Sequence, residues 1–326
     1  MNKSIAQFFS QFIAGLFLAS VVVLFVSCSD DLTTTLETAD PASAVSAPEQ
    51  EKPKPEAAAK ADDDPTNDPH EDLDAVLWIQ TSAEYDAIAR QTFRAARAAV
   101  GDALVDATWT ASVEQQAMVD KQGEQWLANL PPAVVMDVDE TVMDNSKFQT
   151  GLIESDGEYT RDGWKAFVNR KVSTPIPGAV KFVKACRLAG VTPIFVTNRE
   201  HEVEPATREN LIAAGLVEKD DPDLIFTKLE KEEWTSNKQT RREFLATKYR
   251  ILLLLGDDLN DFVETEYHSS GKVRRDTGDK YKSWFGEKWF VLPNPNYGGW
   301  EQSLYGWENA VSKETKRKRK REKMER

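Results

Sequence analysis

The sequence predicts an α/β fold in which a mainly parallel sheet carries helices on both faces. Three observations lead there. From residue 133 onward, short apolar runs at 133–137, 192–197, 223–226, 251–255 and 288–292 are interspersed with helix-period segments at 177–189, 204–214 and 238–249, the pattern of strand–helix–strand units. The run ILLLLGDD at 251–258 shows no polar alternation until its end, as a central strand covered on both sides requires. Three of the runs end in clusters of Asp, Thr and Asn, and open parallel sheets gather functional groups at the carboxyl ends of their strands.

Taken in order, the chain opens on a targeting segment. Lys3 is the only charged residue before Asp30, and FIAGLFLASVVVLFVSC (12–28) is apolar and ends in small residues, which fits a signal peptide over 1–27. Cys28 directly after it resembles a bacterial lipoprotein cleavage site, with Val26 and Ser27 suited to it and Phe25 standing where Leu is usual. The expectation is lipidation at Cys28 and a body on the cell envelope, outer membrane or periplasmic face. An uncleaved membrane anchor or simple secretion would also place the body outside the cytoplasm.

Residues 29–70 hold six of the 15 prolines among Ala, Glu, Asp and Thr. No apolar periodicity survives there, so 28–71 reads as an extended acidic tether. A folded domain is expected over 72–312, entered through helical stretches at 73–100 and 112–130. Of the two cysteines, Cys28 and Cys186, the second falls in the helix pattern 177–189 and reads as a small buried hydrophobe. A disulfide framework is excluded by count. A tyrosine-phosphatase nucleophile would want Arg six residues on, where Thr192 stands.

The chain closes on KETKRKRKREKMER (313–326), with nine basic and three acidic residues, a local net charge of +6 in a protein of net −13. This helix-compatible tail reads as a solvated terminus rather than a nucleic-acid site.

The chemistry concentrates in AVVMDVDETVMDNS, residues 133–146. A buried strand there delivers Asp137, Asp139 and Glu140 within four positions, and carboxylates so close repel and are costly to desolvate. The strand at 192–197 ends in Thr197-Asn198-Arg199, and that at 251–255 in Gly256-Asp257-Asp258-Leu259-Asn260-Asp261. Asp137, Asp139 and Asp257 offer hard oxygen ligands at converging strand ends, which suits Mg²⁺, and a divalent cation offsets the repulsion. With only three histidines, His70, His201 and His268, histidine-rich zinc or binuclear sites are disfavoured.

DVDET, TNR, a downstream lysine and GDDLNDF resemble the four motifs of the haloacid dehalogenase (HAD) superfamily. WIQTSAEY, DETVMDNS, PIPGAVKF, FVTNR, SNKQTRR and LPNPNYGGWE, between about Trp78 and Trp300, resemble its class C (lipoprotein-e type) acid phosphatases and 5′-nucleotidases of subfamily IIIB. The resemblance implies a Rossmann-like sheet with a smaller, mostly helical cap built from the N-terminal helices and the insert after the first strand. It implies an Mg²⁺-dependent phosphomonoesterase that forms an aspartyl-phosphate on Asp137. Asp139 would be the general acid and base and lend its carbonyl to the metal, which Asp137 and Asp257 also hold. Thr197 and Lys238 would bind the phosphoryl oxygens, with Lys228 and Lys231 as the other candidates for the lysine. Asp261 would steady the lysine or a metal-bound water. Asp258 stands where the family commonly has Asn, an extra carboxylate near the metal.

Asn198, Phe148, Trp164 and Tyr297 fall where the family contacts substrate, although Trp164 and Tyr297 read equally well as cap core. Arg199 and His201 are expected in structural hydrogen bonds, and Asn145 and Ser146 as caps of the turn after the first strand. Expected partners are small phosphomonoesters, nucleotides among them, and a membrane through the anchor, with a homodimer left open. Two further readings are kept: a phosphotransferase or narrow-specificity phosphatase of the same superfamily, and a surface lipoprotein for adhesion or ligand capture with a retired site.

Overall fold

The computed structural model describes residues 70–265 and 268–325. The expected leader, Cys28 and the tether up to residue 69 lie outside them. Along the described chain run α1 (Leu73–Thr81), α2 (Ala83–Val105), α3 (Val113–Gln122), α4 (Glu124–Ala128), β1 (Pro132–Met136), β2 (Met143–Asp144), α5 (Ser146–Glu154), α6 (Arg161–Arg170), β3 (Thr174–Pro175), α7 (Ala179–Leu188), β4 (Thr192–Glu200), α8 (Glu204–Ala213), β5 (Ile225–Lys228), α9 (Gln239–Ala246), β6 (Arg250–Gly256), α10 (Gly271–Lys280), β7 (Trp289–Val291), α11 (Gly299–Gln302) and α12 (Lys313–Glu322). None of the described helices is long and apolar enough to cross a membrane.

Each lead-in stretch divides into two helices. Ser82 is extended (φ −87°, ψ 137°), and its hydroxyl accepts the Tyr85 N–H, ending α1 and capping α2. Gly123 at φ +85° ends α3, a conformation costly for a residue with a Cβ.

The main sheet has the order β5-β4-β1-β6-β7 and is parallel throughout. β1 is central, and its side chains alternate between two cores. Val134 and Met136 join Phe93 of α2, Phe182 of α7 and Leu211 of α8 on one face. Ala133 and Val135 join Leu245 of α9, Trp234, Phe262 and Trp289 on the other. Both faces being covered is why β1 and β6 read as unbroken apolar runs. The β1–β6 register shifts between Ala133 and Val134, and the Trp109 indole donates to the Leu252 carbonyl at that step (2.7 Å).

Strand ends differ from their expected positions by up to three residues. β4 continues to Glu200 because Glu200 still pairs with Lys228. β5 is an edge strand set two residues later than its apolar run, and carboxylates take its main-chain donors: Asp223 accepts from Ile225 N–H (3.2 Å) and Glu230 from Thr227 N–H (3.2 Å). Filled donors blunt an edge that could otherwise pair with another chain.

Residues 143–175, between β1 and α7, form the cap side. β2 and β3 make an antiparallel ribbon around α5 and α6, and α1 packs on α5. The basic tail is not a free terminus. It is α12, ion-paired to Glu71, Asp156, Glu158, Glu301 and Glu308.

Candidate active site

β1 ends one residue before Asp137, whose N–H still donates to the Leu255 carbonyl (3.0 Å). The chain then doubles back to β2 through a tight turn, with Met143 N–H bonded to the Val138 carbonyl (2.9 Å). Glu140 occupies a left-handed position in it at φ +55°, which costs a non-glycine residue of order 1 kcal/mol or more. Its buried carboxyl group compensates: it accepts the Asn145 N–H (3.1 Å) and side-chain amide (3.3 Å), and the Tyr297 hydroxyl. Burial and the neighbouring Asp139 raise the Glu140 pKa to about 8.

Asp137 faces Lys238, which stands at the start of α9. The Lys238 Nζ donates to Asp137 Oδ1 (2.5 Å) and Asp261 Oδ1 (2.6 Å), and all three residues are buried. Burial works against the lysine's charge, but the two carboxylates outweigh it and hold its pKa above the ordinary value. For Asp137 burial prevails over the lysine, with Asp261 and Asp139 adding repulsion, and its pKa rises to about 7. Lys238 is therefore the lysine at this carboxylate. Lys231 instead lies over the Trp234 and Phe244 rings (4.2 and 4.0 Å), and Lys228 approaches Glu200 (3.7 Å).

Gly256 makes the Asp261 contact possible. A Cβ there would fall 2.3 Å from Asp261 Cβ and Oδ2, so only glycine lets that carboxylate fold back beneath the strand end. Asp261 Oδ2 also accepts the Asp258 N–H (2.9 Å). Asp257 accepts from Thr141 Oγ1 (3.2 Å) and Asn294 Nδ2 (2.8 Å), and burial raises its pKa well above normal.

Asp139 is held from two sides. Its Oδ1 accepts Asn145 Nδ2 (2.9 Å) and Arg199 Nε (2.9 Å), with Arg199 Nη2 at 2.8 Å. Its Oδ2 accepts the Thr197 hydroxyl (3.3 Å). Thr197 and Arg199 come from the end of β4, so the three strand ends expected to converge do so.

Several expected residues behave differently. The Asn198 side chain is engaged at both ends, donating to Ser236 O (3.0 Å) and accepting from Arg241 (2.7 Å). It therefore braces β4 against α9 while remaining exposed. The extra carboxylate of Asp258 turns from the cluster, accepting Asn260 N–H (3.0 Å), Gly299 N–H (2.7 Å) and Arg274 Nη2 (2.9 Å). Asn145 does not cap α5 with its side chain; it is a buried hub that also accepts from Ser173 Oγ (2.6 Å) and Arg199 (3.2 Å). The Ser146 hydroxyl accepts from Gln80 of α1 (3.1 Å). His201 bonds to Glu204 (2.7 Å), in keeping with its structural reading.

Phe148 and Trp164 do meet, edge to face at 5.0 Å, and Phe167 joins them. Tyr297 is committed through its hydroxyl to Glu140. Sequence reasoning missed Tyr159, which is 62% exposed and lies edge-on to Phe148 at 6.2 Å. Its signal was only an aromatic residue in a polar loop.

Among the described residues, two clusters have ligand atoms mutually within 4.8 Å: Asp137, Asp257 and Asp261, and the half-exposed His201, Glu204 and Glu230. The first has the all-oxygen donor set of a hard divalent cation. Both oxygens of Asp261 and both oxygens of Asp257 accept hydrogen bonds, whereas Lys238 takes only one oxygen of Asp137.

Residues 74–300 match the family described as HAD superfamily, subfamily IIIB (Acid phosphatase). The chain also resembles the class C acid phosphatase of Bacillus anthracis, at 28% identity and a TM-score of 0.65, over 78% of this chain and 96% of that one. The tungstate-bound structure of that enzyme gives the same values. With the parallel sheet, its strand-end carboxylates and Lys238 in place, the chain belongs to the subfamily IIIB acid phosphatases of the HAD superfamily, and it is a phosphoric monoester hydrolase.

Proposed function

We propose that this phosphatase takes nucleoside monophosphates and other small phosphomonoesters, that Asp137 is its nucleophile, and that Mg²⁺ is its cation. The observation that carries the reading is the position of Asp137: a carboxylate at the central strand end, bonded to the Lys238 ammonium and within 4.8 Å of an Asp257 carboxylate oxygen. One Asp137 oxygen is bound by Lys238, which leaves the other for attack.

The chemistry follows from these residues. Asp137 attacks phosphorus as the bond to the leaving oxygen breaks, and a covalent phosphoenzyme divides hydrolysis into two easier steps. Asp139 gives its proton to the leaving alkoxide, then removes one from the water that attacks the phosphoenzyme. Release of phosphate restores the Asp137 carboxylate. Thr197 and Lys238 offer donors to the phosphoryl oxygens, where charge grows in the transition state. Asp137, Asp257 and the Asp139 carbonyl would hold Mg²⁺, which when bound would supply charge neutralisation at the same oxygens. Phe148, Trp164 and Tyr159 provide ring faces and edges suited to a base or aryl group. The tungstate bound by the B. anthracis enzyme, a tetrahedral oxyanion, agrees with a phosphate site in this fold.

We also place the body outside the cytoplasm on a lipid at Cys28, from the leader sequence alone; acylated N-terminal peptide in the membrane fraction tests it. For the activity, nucleoside monophosphates, aryl and alkyl phosphates are assayed with Mg²⁺ and with chelator. Turnover of nucleotides with Mg²⁺ and its loss on chelation are expected. Undiminished turnover in chelator, or none of any nucleotide, would overturn the reading.

A further inference from the structure

Arg199 has no role in the reaction as described, yet it is fully buried and its guanidinium is directed at Asp139. Nε and Nη2 reach Asp139 Oδ1 at 2.9 and 2.8 Å. Nη2 also donates to Asn145 Oδ1 (3.2 Å), and Asn145 gives its own amide to the same Asp139 oxygen (2.9 Å). The Arg199 main-chain N–H holds Thr197 Oγ1 (3.1 Å). Behind this pair, Ser173 donates to Asn145 (2.6 Å) and Asn210 donates to the Ser173 carbonyl (3.1 Å). The network spans β4, the α5 start, the β3 approach and α8, and it converges on a single carboxylate oxygen.

The two oxygens of Asp139 are therefore unequal. Oδ1 receives three nitrogen contacts, which fills its lone pairs. Among the described residues, Oδ2 has only the Thr197 hydroxyl, at a long 3.3 Å. We infer that Arg199, with Asn145, is a positioning residue for proton transfer: it immobilises Asp139 through Oδ1 and makes Oδ2 the oxygen that carries the proton to the leaving group and takes one from the attacking water. A buried arginine suits the task because its planar fork is pre-organised, whereas a lysine is a mobile point charge. The Trp164 ring lies 5.8 Å from the guanidinium carbon, so a cap side chain closes the outer side of the same group.

The inference rests on the role proposed above for Asp139, and the test separates the two. Arg199→Lys and Arg199→Met are assayed on an aryl phosphate, whose leaving group barely needs a proton, and on an alkyl phosphate, whose leaving group does. Misplacing a reacting group by about 1 Å can cost on the order of 10²-fold. The alkyl kcat is expected to fall about 10- to 100-fold more than the aryl kcat in the phosphorylation step, with KM within a few-fold. Arg199→Lys, which keeps the charge, should recover only part of that loss and remains informative if Arg199→Met does not fold.

Asp139→Asn alone and combined with Arg199→Lys completes the cycle. If Arg199 works through Asp139, it has no further effect on the alkyl-to-aryl ratio once Asp139 is changed. Equal losses on both substrates, or an undiminished effect in the double variant, overturn the inference while leaving Asp139 as the acid. An Asp139→Asn variant with an unaltered ratio overturns the proposed mechanism, and this inference with it.

Discussion

Charge is dense in two regions of this molecule, and the two have opposite characters. At the strand ends, Asp137, Glu140 and Asp261 are buried, and the buried Lys238 binds two of them at once. In α12, five basic side chains meet Asp156, Glu158, Glu71, Glu301 and Glu308 at 2.6–3.0 Å, and Asp156 and Glu308 are 88% and 58% exposed. The Lys238 pairs are 2.5 and 2.6 Å, so distance hardly distinguishes the regions. Water does. Exposed pairs give about 0–1 kcal/mol each, whereas breaking a buried pair typically costs about 3–5 kcal/mol because a charge is left without water or partner. Reactivity belongs to the region where solvent is withheld and pKa values move.

The most severe way to break the site is Asp137→Asn. The change removes the nucleophile and one open metal donor, and loss of a nucleophile typically costs several orders of magnitude. Turnover of every substrate should fall on the order of 10⁴-fold or more, with the far-ultraviolet circular dichroism unchanged. Near-native rates would mean that Asp137 is not the attacking group.

Stability offers the next test. Lys238→Met strands two buried carboxylates and should destabilise the metal-free protein by about 3–5 kcal/mol at neutral pH, read from urea melts. Gly256→Ala attacks the same contact from the backbone, since its new Cβ collides with Asp261, at a cost of about 1–3 kcal/mol. A surface control such as Lys272→Ala, at an exposed i,i+4 pair with Asp276, should change stability by no more than about 0.5 kcal/mol. If all three behave alike, the contrast between the regions is wrong.

These pairs also show what the sequence could and could not disclose. The central strand, its acids and the lysine at position 238 were legible because each lies beside an apolar run or a motif. Asn145, Arg199 and Glu140 were not read as one network because their partners come from remote segments: Asn145 and Arg199 are 54 positions apart, and Glu140 and Tyr297 157. Helix α10, GKVRRDTGDK, buries only Arg274 and so carries no apolar period to detect. The breaks at Ser82 and Gly123 were single-residue cap signals within longer apolar patterns, and the longer pattern dominated the reading.

Raised pKa values give the buried region a pH signature. Asp137 at about 7 and Glu140 at about 8 bind protons more tightly folded than unfolded. Their contribution to stability is full below about pH 4 and is lost as pH rises through 7 and 8. Glu200 and Asp221, held low by Arg161 and Arg187 against their burial, have the opposite sign, but their window lies below the ordinary carboxylate range. The metal-free melting temperature should therefore fall between pH 5 and pH 8.5, and Mg²⁺ should restore it at the alkaline end by competing with those protons. A melting temperature that rises across this range in chelator would contradict the buried-carboxylate account.

The pairs of α12 lie in or near water, so deleting 313–326 should lower stability only slightly, and most at low salt. Because surface charges are screened over about 10 Å at 0.1 M salt, the difference between full and shortened chains should nearly vanish at about 0.5 M NaCl. The Lys238→Met deficit, buried and poorly screened, should persist there. Activity sharpens the comparison further. Lys316 pairs with Glu158, the residue before Tyr159, and Lys313 with Asp156, so the tail bears on the loop that carries the exposed ring but not on Asp137. Removal of the tail should leave kcat on an alkyl phosphate within about twofold and raise KM for aryl substrates modestly. A kcat loss above tenfold in a folded, shortened protein would show that the surface charges also shape the buried site, and the division between the two regions would fail.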